Sequence, residues 1–263
     1  MNKIEELLAI ICSLRDKENG CQWDLQQTHA SLARFVIEEA YEVEEAIERS
    51  DPMALCSELG DLLFQVVFHA RLAEEQQHFD FTDVVNAISE KLRRRHPQIF
   101  DVDARLHDRQ STLQAHHGEW ETVKREEREA RASLGVLDDI AGTLPAVTRS
   151  MKLQKRAASV GFDWKSISPV FDKVIEELEE VRAEVLAADQ QAIEDEVGDL
   201  LFAVVNLARH ADVDPESALR RANRKFEGRF RNVERVVLQQ KLVLSSLTQA
   251  QLEAIWAQVK REQ

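Results

Sequence analysis

Leu59-Gly60-Asp61-Leu62-Leu63-Phe64-Gln65-Val66-Val67 recurs as Val197-Gly198-Asp199-Leu200-Leu201-Phe202-Ala203-Val204-Val205, 138 residues later. Upstream, Glu38-Glu39-x-x-Glu42 recurs as Glu176-Glu177-x-x-Glu180 with the same spacing, and Glu58 recurs as Glu196. Further on, Trp120-x-x-Val123-Lys124-Arg125-Glu126 recurs as Trp256-x-x-Val259-Lys260-Arg261-Glu262, 136 residues later. Matches at a near-constant shift read as a duplication. The expected organisation is a first repeat over residues 1–132, a linker over 133–143 that carries Gly135 and Gly142, and a second repeat over 144–263. A polar, irregular stretch is expected over 101–111.

Apolar residues at helical spacing predict a helix over 31–49, from Leu32, Phe35, Val36, Ala40, Val43 and Ile47. Helices over 55–75 and 81–95 follow, the last ended by His96-Pro97. The second half repeats the pattern over 170–188, 191–211 and 216–238. Asp51-Pro52, Ser168-Pro169 and Asp214-Pro215 mark helix starts. Long helices with short connections predict an all-α chain of two homologous helical bundles with antiparallel neighbours. Only 8 Gly and 5 Pro in 263 residues argue against a many-stranded sandwich or barrel.

Asp and Glu number 48 against 34 Lys and Arg, a formal charge of −14. Such an acidic field repels nucleic acid and anionic membrane, so neither is an expected partner. A polyphosphate remains accessible if carboxylates hold cations that carry the contact. Cys12, Cys21 and Cys56 have no metal-ligand spacing and read as reduced thiols of a cytoplasmic protein. Glu5 and Glu6 spoil a signal-peptide start, and apolar runs such as 62–68 are too short to span a bilayer.

Glu177 and Glu180 are three apart on one helix face, as are Glu196 and Asp199 on the next. A short connection makes these helices a hairpin, so the two pairs can converge. Four converging carboxylates repel unless a cation sits between them. Hard oxygen donors without Cys or His suit Mg2+ or Mn2+. A solvated acidic face is the plainer reading of a Glu run. Against it, each Glu-x-x-Asp leads straight into Leu-Leu-Phe-x-Val-Val, which predicts a largely buried helix. An acidic pair at the head of such a helix is costly unless compensated. Glu39, Glu42, Glu58 and Asp61 form the parallel cluster of the first half.

Glu-Glu-x-x-Glu followed by Glu-x-x-Asp resembles the signature of the all-α nucleoside triphosphate pyrophosphohydrolases, in the two-repeat form of the MazG family. Gly20-Cys21-Gln22-Trp23-Asp24-x-x-Gln27-Thr28-His29-x-Ser31-Leu32, Arg94-Arg95-His96-Pro97 and Lys225-Phe226-x-x-Arg229-Phe230 are similar to further family patterns, so the resemblance covers nearly the whole chain. It departs from them at Gln22, where Pro is usual, and at Gly228, where Arg is frequent and Arg231 is the nearest substitute. The resemblance implies hydrolysis of a ribo- or deoxyribonucleoside triphosphate to the monophosphate and pyrophosphate. It also implies Mg2+, a homodimer, and a role in house-cleaning or control of nucleotide pools.

The halves are not equivalent. Lys173 precedes Glu177 by one turn, and its counterpart is Phe35; Asn206 lies two turns beyond Asp199, and its counterpart is Phe68. A triphosphate needs cationic donors for oxygens that a metal leaves free, so the main catalytic site is expected in the second half. There Glu177, Glu180, Glu196 and Asp199 are the expected metal ligands and Glu176 the candidate general base. Lys173, Asn206, Lys225 and Arg229 are expected substrate contacts, Trp256 a base-stacking ring, and Lys260 a cation one turn beyond it. In the first half Lys91, Arg95, Trp120 and Lys124 are the candidate phosphate and base contacts. A di-iron bundle would need Glu-x-x-His on two helices, and the chain offers only Glu75-x-x-His78. His107-Asp108 has no partner histidines at ligand spacing. The non-enzymatic alternative is a dimeric helical interaction or regulatory scaffold with solvated acidic faces.

Overall fold

The computed structural model describes residues 2–100 and 135–261. Among them there are helices and one 3-10 turn but no strand. The chain divides into two compact units, Met1–Arg125 and Glu126–Gln263. The expected first-repeat boundary at 132, the irregular stretch over 101–111 and His107-Asp108 lie outside the described residues.

Unit 1 holds α1 (Lys3–Leu14), α2 (Gln22–Leu25), α3 (His29–Glu48), α4 (Pro52–Glu75), α5 (Phe81–Arg95) and α6 (Pro97–Phe100). Unit 2 holds α7 (Ala146–Ala158), α8 (Ser168–Ala187), α9 (Gln190–His210), α10 (Pro215–Gln239), a 3-10 turn (Leu244–Ser246) and α11 (Gln249–Arg261). In each unit the most extensive packing is between the two helices that carry the carboxylate pairs, α3 on α4 and α8 on α9.

The duplication extends to the turn that closes each hairpin. Ser50 and Ala188, 138 residues apart, both take positive φ (53° and 58°), which reverses the chain after one helix. The next residue caps the second helix. Asp51 accepts hydrogen bonds from the Met53 and Ala54 amides at 3.0 and 3.1 Å, and Asp189 accepts from those of Gln191 and Ala192 at 3.1 and 3.2 Å. These bonds satisfy donors that a helix start leaves open. Pro52 follows Asp51 at the first helical position, where its missing amide hydrogen costs nothing. This one-residue reversal keeps α3 against α4 and α8 against α9, so their acidic faces meet.

The unit 1 core gathers Ile11, Leu32, Val67, Phe68 and Leu72 from α1, α3 and α4. Phe68 is 0% exposed, meets Phe64 edge-on at 5.6 Å, and lies under the Arg15 guanidinium. Arg15 is itself buried. It donates to both carboxylate oxygens of Glu75 at 2.9 and 2.6 Å and to the Asp24 carbonyl, tying α1, α2 and α4 together. Glu75 is thus occupied as an ion-pair partner. In unit 2, Val233, Val237, Ile255 and Val259 form a core between α10 and α11.

Two expectations need correction. The helices that open on Glu-x-x-Asp are not largely buried: Leu59, Val66, Val197, Phe202 and Val204 are exposed, and Leu201 is 61% exposed. A helix apolar around most of its circumference needs neighbours on several sides, and each unit covers only part of it. Secondly, α4 is long and apolar enough to cross a membrane by length and composition. It carries Glu58 and Asp61 and packs on α1, α3 and α5.

A non-glycine residue in the left-handed region is strained by about 1–2 kcal/mol. Ala188→Gly should relieve that strain, less the extra entropy glycine loses on folding. The urea unfolding midpoint of unit 2 is therefore expected to rise by the equivalent of about 0.5–1 kcal/mol. A lower midpoint would show that the Ala188 turn is not strained.

Candidate active site

The hairpins do what their spacing predicts. One oxygen each from Glu177, Glu196 and Asp199 lies within 4.8 Å of the others in unit 2, and Glu39, Glu42 and Glu58 meet the same limit in unit 1. The fourth carboxylate of each set is adjacent: the Glu177 and Glu196 charges act on Glu180, and the Asp61 charge acts on both Glu39 and Glu58.

This crowding shifts proton affinities. The Glu39 carboxyl is pushed above its usual range by burial, then by the charges of Asp61, Glu42, Glu38 and Glu58. Glu58 is raised by burial and by Glu42 and Asp61. Glu180 is raised by burial, by its hydrogen bond to Glu177 and by the Glu177 and Glu196 charges, with Lys173 opposing. A carboxyl raised in the folded state supports the fold below its ordinary pKa, and that support is lost as pH rises through the raised value. At neutral pH such a cluster calls for positive charge as a counterweight.

Lys173 supplies part of that counterweight in unit 2. Its ammonium contacts Glu177 at 2.8 Å and Glu176 at 2.9 Å. These two carboxylates hold the lysine pKa well above its usual value. Phe35, its counterpart, packs on the unit 1 core.

A cavity of about 400 Å3 adjoins the unit 2 cluster, and Lys173, Glu177, Asp199 and Asn206 all line it. The polar positions singled out in the second half thus converge on one space. A larger groove of about 580 Å3 in unit 1, beside α1 and Gly20, includes none of the clustered carboxylates. Asn206 is buried and its Oδ1 accepts from Arg209 Nε at 3.0 Å and Nη2 at 2.8 Å. Arg209 also donates from Nη1 to Asp163 Oδ2 at 2.9 Å and from Nη2 to Oδ1, and His210 Nε2 lies 3.0 Å from the same Oδ1. The Arg209 hydrogen bonds, then that of His210, lower the Asp163 pKa from 3.8 to about 2. Asp163 thereby anchors the segment Phe162-Asp163-Trp164, which turns off α7 through Gly161 at φ 88°. Both aromatic rings reach the cavity, and Phe162 remains 82% exposed.

Gln154 is 6% exposed and also lines the cavity. Its Nε2 donates to the Phe202 carbonyl at 2.8 Å. Its Oε1 is buried and meets no partner among the described residues, an arrangement that costs about 1–3 kcal/mol.

Other expected contacts are not brought to this cavity by the chain itself. Lys225 and Arg229 lie on α10, and Trp256 and Lys260 on α11, outside its walls. Trp256 meets Phe226 at 5.4 Å and packs on the α10–α11 core. Gly228 faces open space, so packing does not require a glycine there. Arg231, its nearest substitute, pairs with Glu227. Glu176 is exposed and paired with Lys173. Lys91 and Arg95 lie one turn apart on α5, which packs on α4. Trp120 and Lys124 lie outside the described residues.

Gln154, Phe162, Asp163, Trp164 and Arg209 are site residues that sequence reasoning missed. Gly161-Phe162-Asp163-Trp164 was an available signal, since it brackets an acid with two rings in a chain with four tryptophans. No local pattern announces Gln154, or an Asp163–Arg209 contact across 46 positions.

The description "MazG nucleotide pyrophosphohydrolase domain" matches residues 27–100 and 166–234, which span both hairpins. The chain belongs to this MazG family. It is 50% identical over 265 residues to a nucleoside triphosphate pyrophosphohydrolase of Escherichia coli K12, across 100% of this chain and 99% of that protein. It is 41% identical over 256 residues to "Nucleoside triphosphate pyrophosphohydrolase/pyrophosphatase MazG" of Thermotoga maritima, across 97% and 95% of the two. It is 40% identical over 253 residues to protein YabN of Bacillus subtilis, across 96% of this chain and 50% of the relative. Both carboxylate sets, Lys225 and Arg229 fall inside the MazG matches, whereas Gln154, Phe162, Asp163, Trp164, Trp256 and Lys260 fall outside them.

Asp163 supports its loop while ionised, so the clamp is complete above about pH 4 and is lost as pH falls through about 2. Trp164 emission in the wild type should therefore change only on that acid limb. Asp163→Asn should show the released emission already at pH 7. Identical emission of the two proteins at pH 7 would contradict the clamp.

Proposed function

We propose that this MazG-family chain hydrolyses nucleoside triphosphates, ribo- or deoxyribo-, to the monophosphate and pyrophosphate at the unit 2 site. The observation that carries the reading is the shared cavity, where clustered carboxylates, a lysine and a buried amide meet in one space. At the same positions unit 1 has Phe35 and Phe68. The names of the Escherichia coli and Thermotoga maritima relatives support the same activity.

Glu177, Glu180, Glu196 and Asp199 would hold Mg2+, with Mn2+ as the alternative; oxygen-only donors at this separation fit either ion. The bound ion would polarise phosphoryl oxygens and activate water. The chain's own groups do the rest. Lys173 shares its ammonium between the cluster and the phosphates. Glu176 is the motif carboxylate left over and takes the proton of the attacking water. Attack at the α-phosphorus breaks its bond to the bridging oxygen, and pyrophosphate leaves. Lys225, Arg229 and Lys260 provide further phosphate contacts and Trp256 a ring for the base.

None of that last group lines the cavity in the single chain. The exposed apolar positions of α9 (Val197, Leu201, Phe202 and Val204) are the kind of surface a homodimer covers. In the proposed dimer, α10 and α11 of one copy complete the site of the other. In this reading the unit 1 cluster binds metal, and the main turnover belongs to unit 2. The three cysteines are free, in keeping with a cytoplasmic protein that clears or controls nucleotide pools.

The test is a product assay with ATP, CTP, dCTP and dUTP plus Mg2+, resolving pyrophosphate from orthophosphate. Wild type and Glu39→Ala should release pyrophosphate, and EDTA should stop both. Glu177→Ala should lose more than about a hundredfold, beyond what residues behind metal ligands usually cost. Orthophosphate as the product, or full activity in Glu177→Ala, would overturn the reading. No product from any substrate would favour the scaffold.

A further inference from the structure

We infer that Gln154 and Asn206 form the base-reading edge of this site. Gln154 Oε1 accepts an N–H of the nucleobase, and Asn206 Nδ2 donates to an acceptor beside it. This inference rests on the proposed pyrophosphohydrolase reaction and specifies how its substrate is recognised.

The argument begins with amide orientation, which chemistry decides here. Gln154 faces a backbone carbonyl, which can only accept, so the nitrogen must point there and Oε1 elsewhere. That oxygen is left buried and unpartnered in a side chain 94% removed from solvent, in the wall of the cavity. Arg209 has only donors, so Oδ1 of Asn206 must face it, and two Arg209 nitrogens occupy that oxygen. The Asn206 amide nitrogen is then the group left for a ligand. Two residues of the same cavity wall thus carry a spare acceptor and a spare donor.

The position matches a base rather than a sugar. Asn206 is seven residues beyond Asp199 on α9, about 10 Å along the helix from the carboxylate end. With the α-phosphate at the carboxylates, the base is the part of a nucleotide that extends this far. Phe162 and Trp164 bring aromatic faces to the same cavity, which suits stacking on a heterocycle. Asp163 is a positioning residue. Through Arg209 it holds both the aromatic segment and the Asn206 amide in place. Unit 1 has no equivalent edge, because Phe68 replaces Asn206 and is sealed in the core. The ligand class is a heterocyclic base with an N–H next to a ring nitrogen or carbonyl acceptor. A site built to hydrogen-bond a substrate rejects the analogue that lacks the bonding group.

The test compares kcat/KM for ATP and purine riboside triphosphate, which lacks the amino group, and for CTP and its 4-deamino analogue. In wild type, the better of the two parents should exceed its analogue by at least tenfold. Gln154→Met preserves volume and removes the orphan oxygen. It also removes the bond to the Phe202 carbonyl, and it should abolish that preference by lowering the parent to the level of the analogue. Asn206→Asp keeps the acceptor for Arg209 but removes the donor. It should lower kcat/KM of the parent at least tenfold, mainly through KM, and it decides the matter if Gln154→Met fails to fold. A parent-to-analogue ratio near one in wild type, or one that Gln154→Met leaves unchanged, would overturn the inference while pyrophosphate release continues. Such a result would assign the Gln154 oxygen to a water. If wild type releases no pyrophosphate from any triphosphate, the proposed function falls and this inference with it.

Discussion

Carboxylates that converge across a helical hairpin repel one another, and most of this structure can be understood as the framework that holds them together. Helical periodicity places two acids on one face of each helix. A single left-handed residue, Ser50 or Ala188, and an aspartate cap then bring the two faces into register. The repulsion shows in the raised proton affinities of Glu39, Glu58 and Glu180. Packing of α3 on α4 and α8 on α9 offsets it. A divalent cation would turn the same geometry from a liability into a binding site.

Duplication allowed the two copies of that framework to diverge. Unit 1 uses the volume beyond its acids for packing: Phe68 is fully buried among Ile11, Leu32, Val67 and Leu72, with Phe35 against them. Unit 2 places Lys173 and Asn206 at the same positions and leaves a cavity between α7, α8 and α9. Polar groups in such a space stabilise a fold less than aromatic rings do, and Gln154 Oε1 makes the cost explicit. An unsatisfied acceptor in the wall of a cavity that also meets the carboxylate cluster is what a substrate-binding site would carry.

The features legible in the sequence were the local ones. Both acidic pairs follow from spacings of three residues, and the helix over 81–95 emerges with the bounds expected for it. The asymmetry of Lys173 against Phe35, and of Asn206 against Phe68, needed only an alignment of the chain with itself. Contacts that skip along the chain were hidden. Gln154 meets Phe202 across 48 positions and Asp163 meets Arg209 across 46; neither leaves a periodic trace. Trp256 looked like a base-stacking ring, yet in the single chain it packs on Phe226. The expectation of buried core helices failed for a related reason. Apolar pattern shows that a face will be covered, but not whether the same chain covers it, and Leu201 remains open here.

The central claim is that two similar carboxylate hairpins have separated in function, with only the second able to seat a nucleotide. The most direct test is calorimetric titration of the wild-type chain with a triphosphate carrying a non-hydrolysable α,β-bridge, in saturating Mg2+. The account predicts one nucleotide per chain, lost when Asn206→Phe fills the unit 2 cavity as Phe68 fills unit 1. Two nucleotides per chain, or one that survives Asn206→Phe, would contradict it.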